Sequence, residues 1–118
     1  MNRLIICTRR EGLPLPGDDL PVIAVSEKHI GKCRGCMRCK YLKKCIAYQD
    51  DAQECLSLIQ EAAHLDIYLQ SGSQTHLLFD RTLYALEGEG RTFTFHVEDD
   101  AEAEYLKNLL TWAGYTEV

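Results

Sequence analysis

The sequence predicts one two-layer α/β domain, with a mainly parallel sheet of four or five strands and about three helices on one of its faces. Three observations lead there. Short apolar segments alternate with helical stripes along the chain, the order that builds parallel sheets. The later strands alternate apolar with polar residues, whereas a strand covered on both faces reads as a continuous apolar run. A chain of 118 residues is also the length of a single domain with a single core.

The elements follow in order. Residues 3–7 (RLIIC) and 21–26 (PVIAVS) read as short apolar strands, and Gly12, Pro14, Pro16 and Gly17 make residues 8–20 between them a loop. Residues 28–49 form a cysteine-bearing connection. Asp50 or Asp51 reads as the N-cap of a helix to about Ala63, with Ala52, Cys55, Leu56, Ile59 and Ala63 as its apolar stripe. Residues 65–70 alternate Leu65, Ile67 and Leu69 with Asp66, Tyr68 and Gln70, as a half-buried strand does. A second helix is expected over 76–87, with Phe79, Leu83 and Leu86 on one side and Gly88 and Gly90 beyond its end. Residues 92–97 alternate Phe93, Phe95 and Val97 with Thr92, Thr94 and His96. Asp99 or Asp100 then caps a last helix to Ala113, with Ala103, Leu106, Leu109, Leu110 and Ala113 inward and Gly114 as its stop. Tyr105 and Trp112 share helical spacing and read as packing residues, and 115–118 as a short edge strand.

With strand order 2-1-3-4-5, all three helices cover the same face. The other face is then bare and polar, lined by Asp66, Tyr68, Gln70, Thr92, Thr94 and His96, and suited to water or to a second copy in a homodimer.

Charge is unevenly spread. Residues 28–44 hold seven bases (Lys28, Lys32, Arg34, Arg38, Lys40, Lys43, Lys44) and no acid. The rest of the chain holds the other six bases and all 18 acids, for a net charge of −5. Nearby cations favour thiolates and offset the charge of a thiolate-bound cofactor. A nucleic-acid partner is not expected, because only Tyr41 in this stretch could stack on a base and the remainder is acidic. No apolar run approaches the roughly 20 residues of a membrane span. The apolar run at residues 4–7 is too short for a signal-peptide core. A cytosolic protein with reduced thiols is therefore expected, in which clustered cysteines serve metal or redox chemistry.

The cysteines carry the chemistry. Cys33, Cys36, Cys39 and Cys45 follow the pattern Cys-x2-Cys-x2-Cys-x5-Cys. Three thiols at two-residue gaps can wrap one centre, and a fourth a short distance on can complete a [4Fe–4S] cubane. Zinc also takes four thiolates, though usually from two well-separated knuckles. A regulatory disulfide pair, or four reduced thiols lining a loop, remain open at this point. Cys55, on a helical stripe, and Cys7, at a strand end, read as core residues. His29, His64, His76 and His96 have no ligand spacing to one another and read as structural or surface residues. Ser71 and Ser73 lack the context of a hydrolase nucleophile.

The run HIGKCRGCMRCKYLKKCIAYQDDAQECLSLIQEAAHLDIYL resembles the middle of NAD(P)H-dependent FMN reductase-like flavoproteins, in particular their iron–sulfur flavoprotein branch. The resemblance is specific over residues 29–70 and weaker to 86. It rests on Cys33, Cys36, Cys39 and Cys45, on Asp50-Asp51 at a helix start, on Asp66 in the third strand, and on Phe79-Asp80-Arg81. It implies a flavodoxin-like fold, here a three-layer plan reduced toward two layers. It also implies a cysteine motif that binds [4Fe–4S] in some members and is structural in others. The family's FMN loops correspond to Thr8, Arg9 and Arg10 after the first strand and to Ser71, Gly72, Ser73 and Gln74 after the third. Both depart from the family pattern, and Glu98-Asp99-Asp100 after the fourth strand would repel phosphate.

The expectation is a redox protein passing electrons through a four-cysteine [4Fe–4S] site to a partner protein or a flavin, with its FMN site weakened or lost. Two alternatives accompany it. One is an FMN-binding NAD(P)H oxidoreductase with the flavin at a dimer interface. The other is a non-catalytic interaction module with a four-thiolate zinc or an empty cysteine loop.

Overall fold

The computed structural model describes residues 3–10, 21–31, 39–42, 50–70, 75–97 and 102–118. The elements are β1 (Arg3–Cys7), β2 (Val22–Ala24), a single-turn helix α1 (Cys39–Leu42), α2 (Ala52–Glu61), β3 (His64–Leu69), α3 (Thr75–Thr82), β4 (Thr92–Val97), α4 (Ala103–Trp112) and β5 (Thr116–Glu117). The five strands form one sheet in the order β2-β1-β3-β4-β5, and each pairing is parallel. The order is that of a flavodoxin-like sheet, and the two-layer α/β architecture is the one that the alternation of elements predicts.

Period-two patterning decides which side is covered. Leu4, Ile6, Ile23, Leu65, Ile67, Leu69 and Phe93 point to one face. There they join Cys55, Leu56, Ile59 and Ala62 of the α2 segment, Leu78 and Phe79 of α3, and Leu106, Leu109 and Leu110 of α4 in a single core. The rings of Phe93 and Phe95 meet edge to face at 5.2 Å on this side. The three long helices lie side by side, α2 against α3 and α3 against α4.

Several boundaries differ from the sequence reading, each for a local reason. The second strand is only Val22–Ala24 and turns at once into a 3-10 turn, Val25–Glu27. The α2 stripe ends on buried Ala62, and Ala63 is exposed, because the backbone at Ala62 is already extended and the helical period has stopped. The second long helix stops at Thr82 and tightens into a 3-10 turn, Leu83–Ala85, so its predicted length is cut by a turn. Helix α4 starts at Ala103, and its predicted caps Asp99 and Asp100 lie outside the described residues. Gly114, at φ +107°, closes α4 where a side chain is disfavoured. The expected packing role of Tyr105 and Trp112 is corrected: both lie on the outer side of α4, with Trp112 66% exposed. Seven residues apart, they share a helix face, but that face looks away from the sheet.

The opposite sheet face is less open than its polar letters predict. Ile5 and Cys7 point there and are fully buried, and Asp66 and Gln70 are buried as well. Tyr68, Thr92 and Thr94 are half-buried, and only His96 of the predicted set is exposed. The central position of β1, between β2 and β3, puts Ile5 beside Val22 and Asp66, and Cys7 beside Ala24 and Tyr68.

At Gly88 the chain passes close to itself. A Cβ there would lie 2.1 Å from the ring of buried Tyr115 and 2.5 Å from its backbone nitrogen. Gly88→Ala is expected to lower stability by about 3 kcal/mol in urea unfolding, the upper range for overpacking. Glu89→Ala, on the exposed neighbour, should stay within about 0.5 kcal/mol.

Candidate functional site

The cysteine motif lies in sequence between Gly31 and Asp50, and these two residues are tied together. Asp50 accepts from the Gly31 N–H at 2.8 Å and from the Ala52 N–H at 3.2 Å. It also takes both arms of the Arg81 guanidinium, at 2.7 and 3.0 Å. Arg81 donates in addition to the Gly31 carbonyl at 2.8 Å. One residue further out, the Asp51 carboxylate accepts from the His29 N–H at 2.7 Å, and the Asp51 N–H donates to the His29 carbonyl at 3.0 Å. Lys28 and Glu54 add an exposed ion pair at 3.7 Å. The expected N-cap is therefore divided: the Asp51 side chain makes no cap bond within α2, and Asp50 receives the first helical N–H.

Arg81 reaches this point because α3 anchors Leu78, Phe79 and Thr82 in the interior and so holds the arginine in a fully buried position. A planar guanidinium satisfies two carboxylate oxygens and a carbonyl together, which an ammonium cannot do with the same geometry. Burial pushes the Asp50 carboxyl up. The hydrogen bonds from Arg81, Gly31 and Ala52 and the Arg81 charge outweigh it and hold the group below its ordinary 3.8.

Of the four motif cysteines, Cys39 begins α1, which packs against the Leu83–Ala85 turn. Cys33, Cys36 and Cys45 lie outside the described residues, as do Ser71, Gly72, Ser73 and Gln74.

Thr8, Arg9 and Arg10 stand at the C-terminal ends of the strands, where α/β sheets place ligands. Their polar groups hold the ends together. The Thr8 hydroxyl accepts from the Gln70 N–H at 3.2 Å, and the Gln70 side chain accepts from the Arg9 N–H at 2.9 Å. The Thr8 carbonyl takes the Ser26 N–H at 2.9 Å. Arg10 pairs with Glu27 at 2.8 Å. At the same edge the Glu102 carboxylate accepts the His76 N–H at 2.8 Å and lies 3.2 Å from its ring, joining the starts of α3 and α4.

On the face opposite the helices, Asp66 is the centre of a charged cluster. Arg3 donates to it from Nε at 3.0 Å, and the imidazoles of His64 and His96 approach its other oxygen at 3.3 and 3.5 Å. The His64 Nδ1 lies 2.6 Å from the Thr92 hydroxyl, and His96 stacks on Tyr68 with ring centres 4.2 Å apart. Burial pushes the Asp66 carboxyl up, but Arg3, His64 and His96 together bring it below 3.8. Among the described residues, no group of three His, Cys, Asp or Glu side chains is placed to hold a metal ion.

His64, His76 and His96, read from sequence as structural or surface residues, each meet a carboxylate. His64-x-Asp66 shares one strand face by period two, and parallel register sets Thr94 beside Asp66. That spacing was the available signal. The register could not be read locally.

Cys7 and Cys55 are buried. Burial, with Glu54, Asp51 and Asp50 nearby against the opposing Lys28, pushes the Cys55 thiol up to about 11. It packs in the core against the sheet.

The fold and these contacts define a flavodoxin-like two-layer α/β protein whose cysteine-bearing segment is fastened at its neck by a buried arginine–aspartate pair. Compared with protein-family models, with curated proteins and with solved structures, the chain finds no match. Among the described residues, no helix is long and apolar enough to cross a membrane.

Arg81→Met leaves the half-buried Asp50 without its guanidinium, and urea unfolding should show a loss of about 1–3 kcal/mol. Both Asp50 and Asp66 are held below 3.8, so their contribution is complete above that value and is lost as pH falls toward the folded-state values. Asp66→Asn should therefore flatten the fall in stability below about pH 4, measured by urea midpoints across the acid range. Native protein treated with iodoacetamide at pH 8 should leave Cys7 and Cys55 unmodified by peptide mapping, and unfolding should expose both.

Proposed function

We propose that this chain is a flavodoxin-like redox protein that transfers electrons through a four-cysteine [4Fe–4S] site held by Cys33, Cys36, Cys39 and Cys45, with an FMN site weakened or lost. The observation that carries the reading is the fastened neck. The motif lies wholly between His29–Gly31 and Asp50–Asp51, and the four contacts among those residues and Arg81 bring the two ends together. Loop closure is then supplied by the fold and need not be supplied by the metal, which favours a compact four-thiolate site over a wandering loop. The seven bases around the motif offset the negative charge of four thiolates. When bound, such a cluster supplies one-electron transfer. The reading places the chain in the cytosol, where thiols remain reduced.

The weakened flavin site is supported at the strand ends. The Arg9 N–H, the Thr8 hydroxyl and the Arg10 guanidinium, which would have to cradle a phosphate, each hold a partner within the protein. Among the described residues no helix begins there to add its dipole, and the Thr8 carbonyl accepts from the Ser26 N–H.

The test is a visible spectrum with iron, sulfide and zinc analysis on protein purified without oxygen. About four irons per chain with broad visible absorption are expected, and both should disappear in Cys39→Ser. One zinc in a colourless protein would favour the interaction module. Bound flavin would favour the oxidoreductase, and metal-free, colourless protein would overturn the redox reading.

A further inference from the structure

Along the outer side of the helical layer, α3 and α4 carry an aromatic strip. Tyr105 and Trp112, seven residues apart on α4, are 49% and 66% exposed. Each reaches toward the α3 side. The Tyr105 hydroxyl donates to the Asp80 carboxylate, and the Trp112 ring meets Tyr84, of the Leu83–Ala85 turn, edge to face at 5.7 Å. Leu106, Leu109 and Leu110 already seat α4 in the core. The two rings therefore lie outside the packing that holds the helix to the sheet. Tyr and Trp are the side chains that most often anchor protein interfaces, because they offer large contact area at small entropic cost.

The strip ends at a cleft. The Ala113 carbonyl accepts from the Gly88 N–H at 2.9 Å, so the chain around Gly88 lies against the end of α4. Leu86, Glu87, Gly88, Glu89, Arg91 and Ala113 line a cleft of about 440 Å³ there.

Among the described residues, the charge along strip and cleft is one-sided. Asp80 is half-buried, and Glu87 and Glu89 are exposed. Arg91 reaches inward to the Ile59 carbonyl at 3.5 Å, Arg81 is buried against Asp50, and Lys107, on the next side of α4, pairs with Glu117 at 3.2 Å. An acidic partner would be repelled by these carboxylates, and an uncharged one would cover them without pairing them. A guanidinium is planar and weakly hydrated, stacks on aromatic rings and pairs with carboxylates through its fork of donors. It is the group that answers both halves of this surface.

We infer that Tyr84, Tyr105 and Trp112, with Asp80, Glu87 and Glu89, form a docking surface for an arginine-bearing basic segment of a partner protein. The surface includes no motif cysteine, so the inference stands apart from the redox reading.

Trp112 is the only tryptophan of the chain, and its fluorescence reads the surface directly. The purified full chain is titrated with an octapeptide alternating arginine with serine. Octapeptides with lysine or with glutamate in place of arginine are the controls. The arginine peptide should change the Trp112 emission, bind at about 10–100 µM at low ionic strength, and weaken about threefold or more at about 0.3 M salt. It should bind at least about threefold more tightly than the lysine peptide. By calorimetry, Trp112→Ala should weaken binding at least about fivefold and Glu87→Gln/Glu89→Gln at least about threefold, with unchanged circular dichroism spectra. Glu27→Gln, which removes the same kind of charge beyond β2 at the opposite edge of the sheet, should leave binding unchanged. A Trp112 emission unmoved by the arginine peptide, equal binding of the lysine or glutamate peptide, an equal loss in Glu27→Gln, or burial of Trp112 by a second copy at rising concentration would each overturn the inference. Iron and sulfide on the same sample decide the redox reading alone and leave this result unaltered.

Discussion

The pairing of buried Arg81 with half-buried Asp50 is the constraint on which the arrangement of this protein depends. It joins three pieces of chain remote in sequence: the end of the segment after β2, the start of α2, and the last turn of α3. A guanidinium taken out of water is costly unless each of its directions finds an acceptor, and here two carboxylate oxygens and the Gly31 carbonyl answer it. The pair thereby holds the helical layer and the neck of the cysteine segment in one position. Such a pair contributes little net stability over well-packed apolar residues. Its effect is on geometry, since an apolar replacement would fill the volume without specifying where Gly31 and Asp50 meet.

The sheet shows the same division between filling and specifying. The helix-covered face is apolar side chains at period two, and many substitutions of similar volume would suit it. On the other face, Asp66 is buried under Arg3 and two imidazoles, and Gln70 is held between Thr8 and Arg9. These polar contacts join β1 to β3 and β3 to β4 at chosen registers. A one-residue slip would move every one of them to the wrong face.

Charge is divided along the chain. Residues 28–44 hold seven bases and no acid around the cysteine motif, and every acid lies in the rest of the sequence. Cations so close in sequence to four thiols would favour their thiolate form. Tyr41, Leu42 and Trp112 are exposed.

The sequence by itself determined the two-layer α/β class and most elements, because period-two and helical spacing are local properties that hydrophobic burial enforces wherever they occur. β4 at Thr92–Val97 and the edge strand after Gly114 were legible in this way. The cysteine spacing, Asp50-Asp51 and Phe79-Asp80-Arg81 were visible as letters too, but their relation was not. Only the tertiary structure decided that Arg81 turns inward to Asp50, that His64 and His96 converge on Asp66, and that Trp112 faces outward while Leu109 and Leu110 face in. Helical spacing says which residues share a face, not which face meets the sheet. Pairings between residues separated by about 30 positions or more depend on register and crossover, which no local pattern encodes.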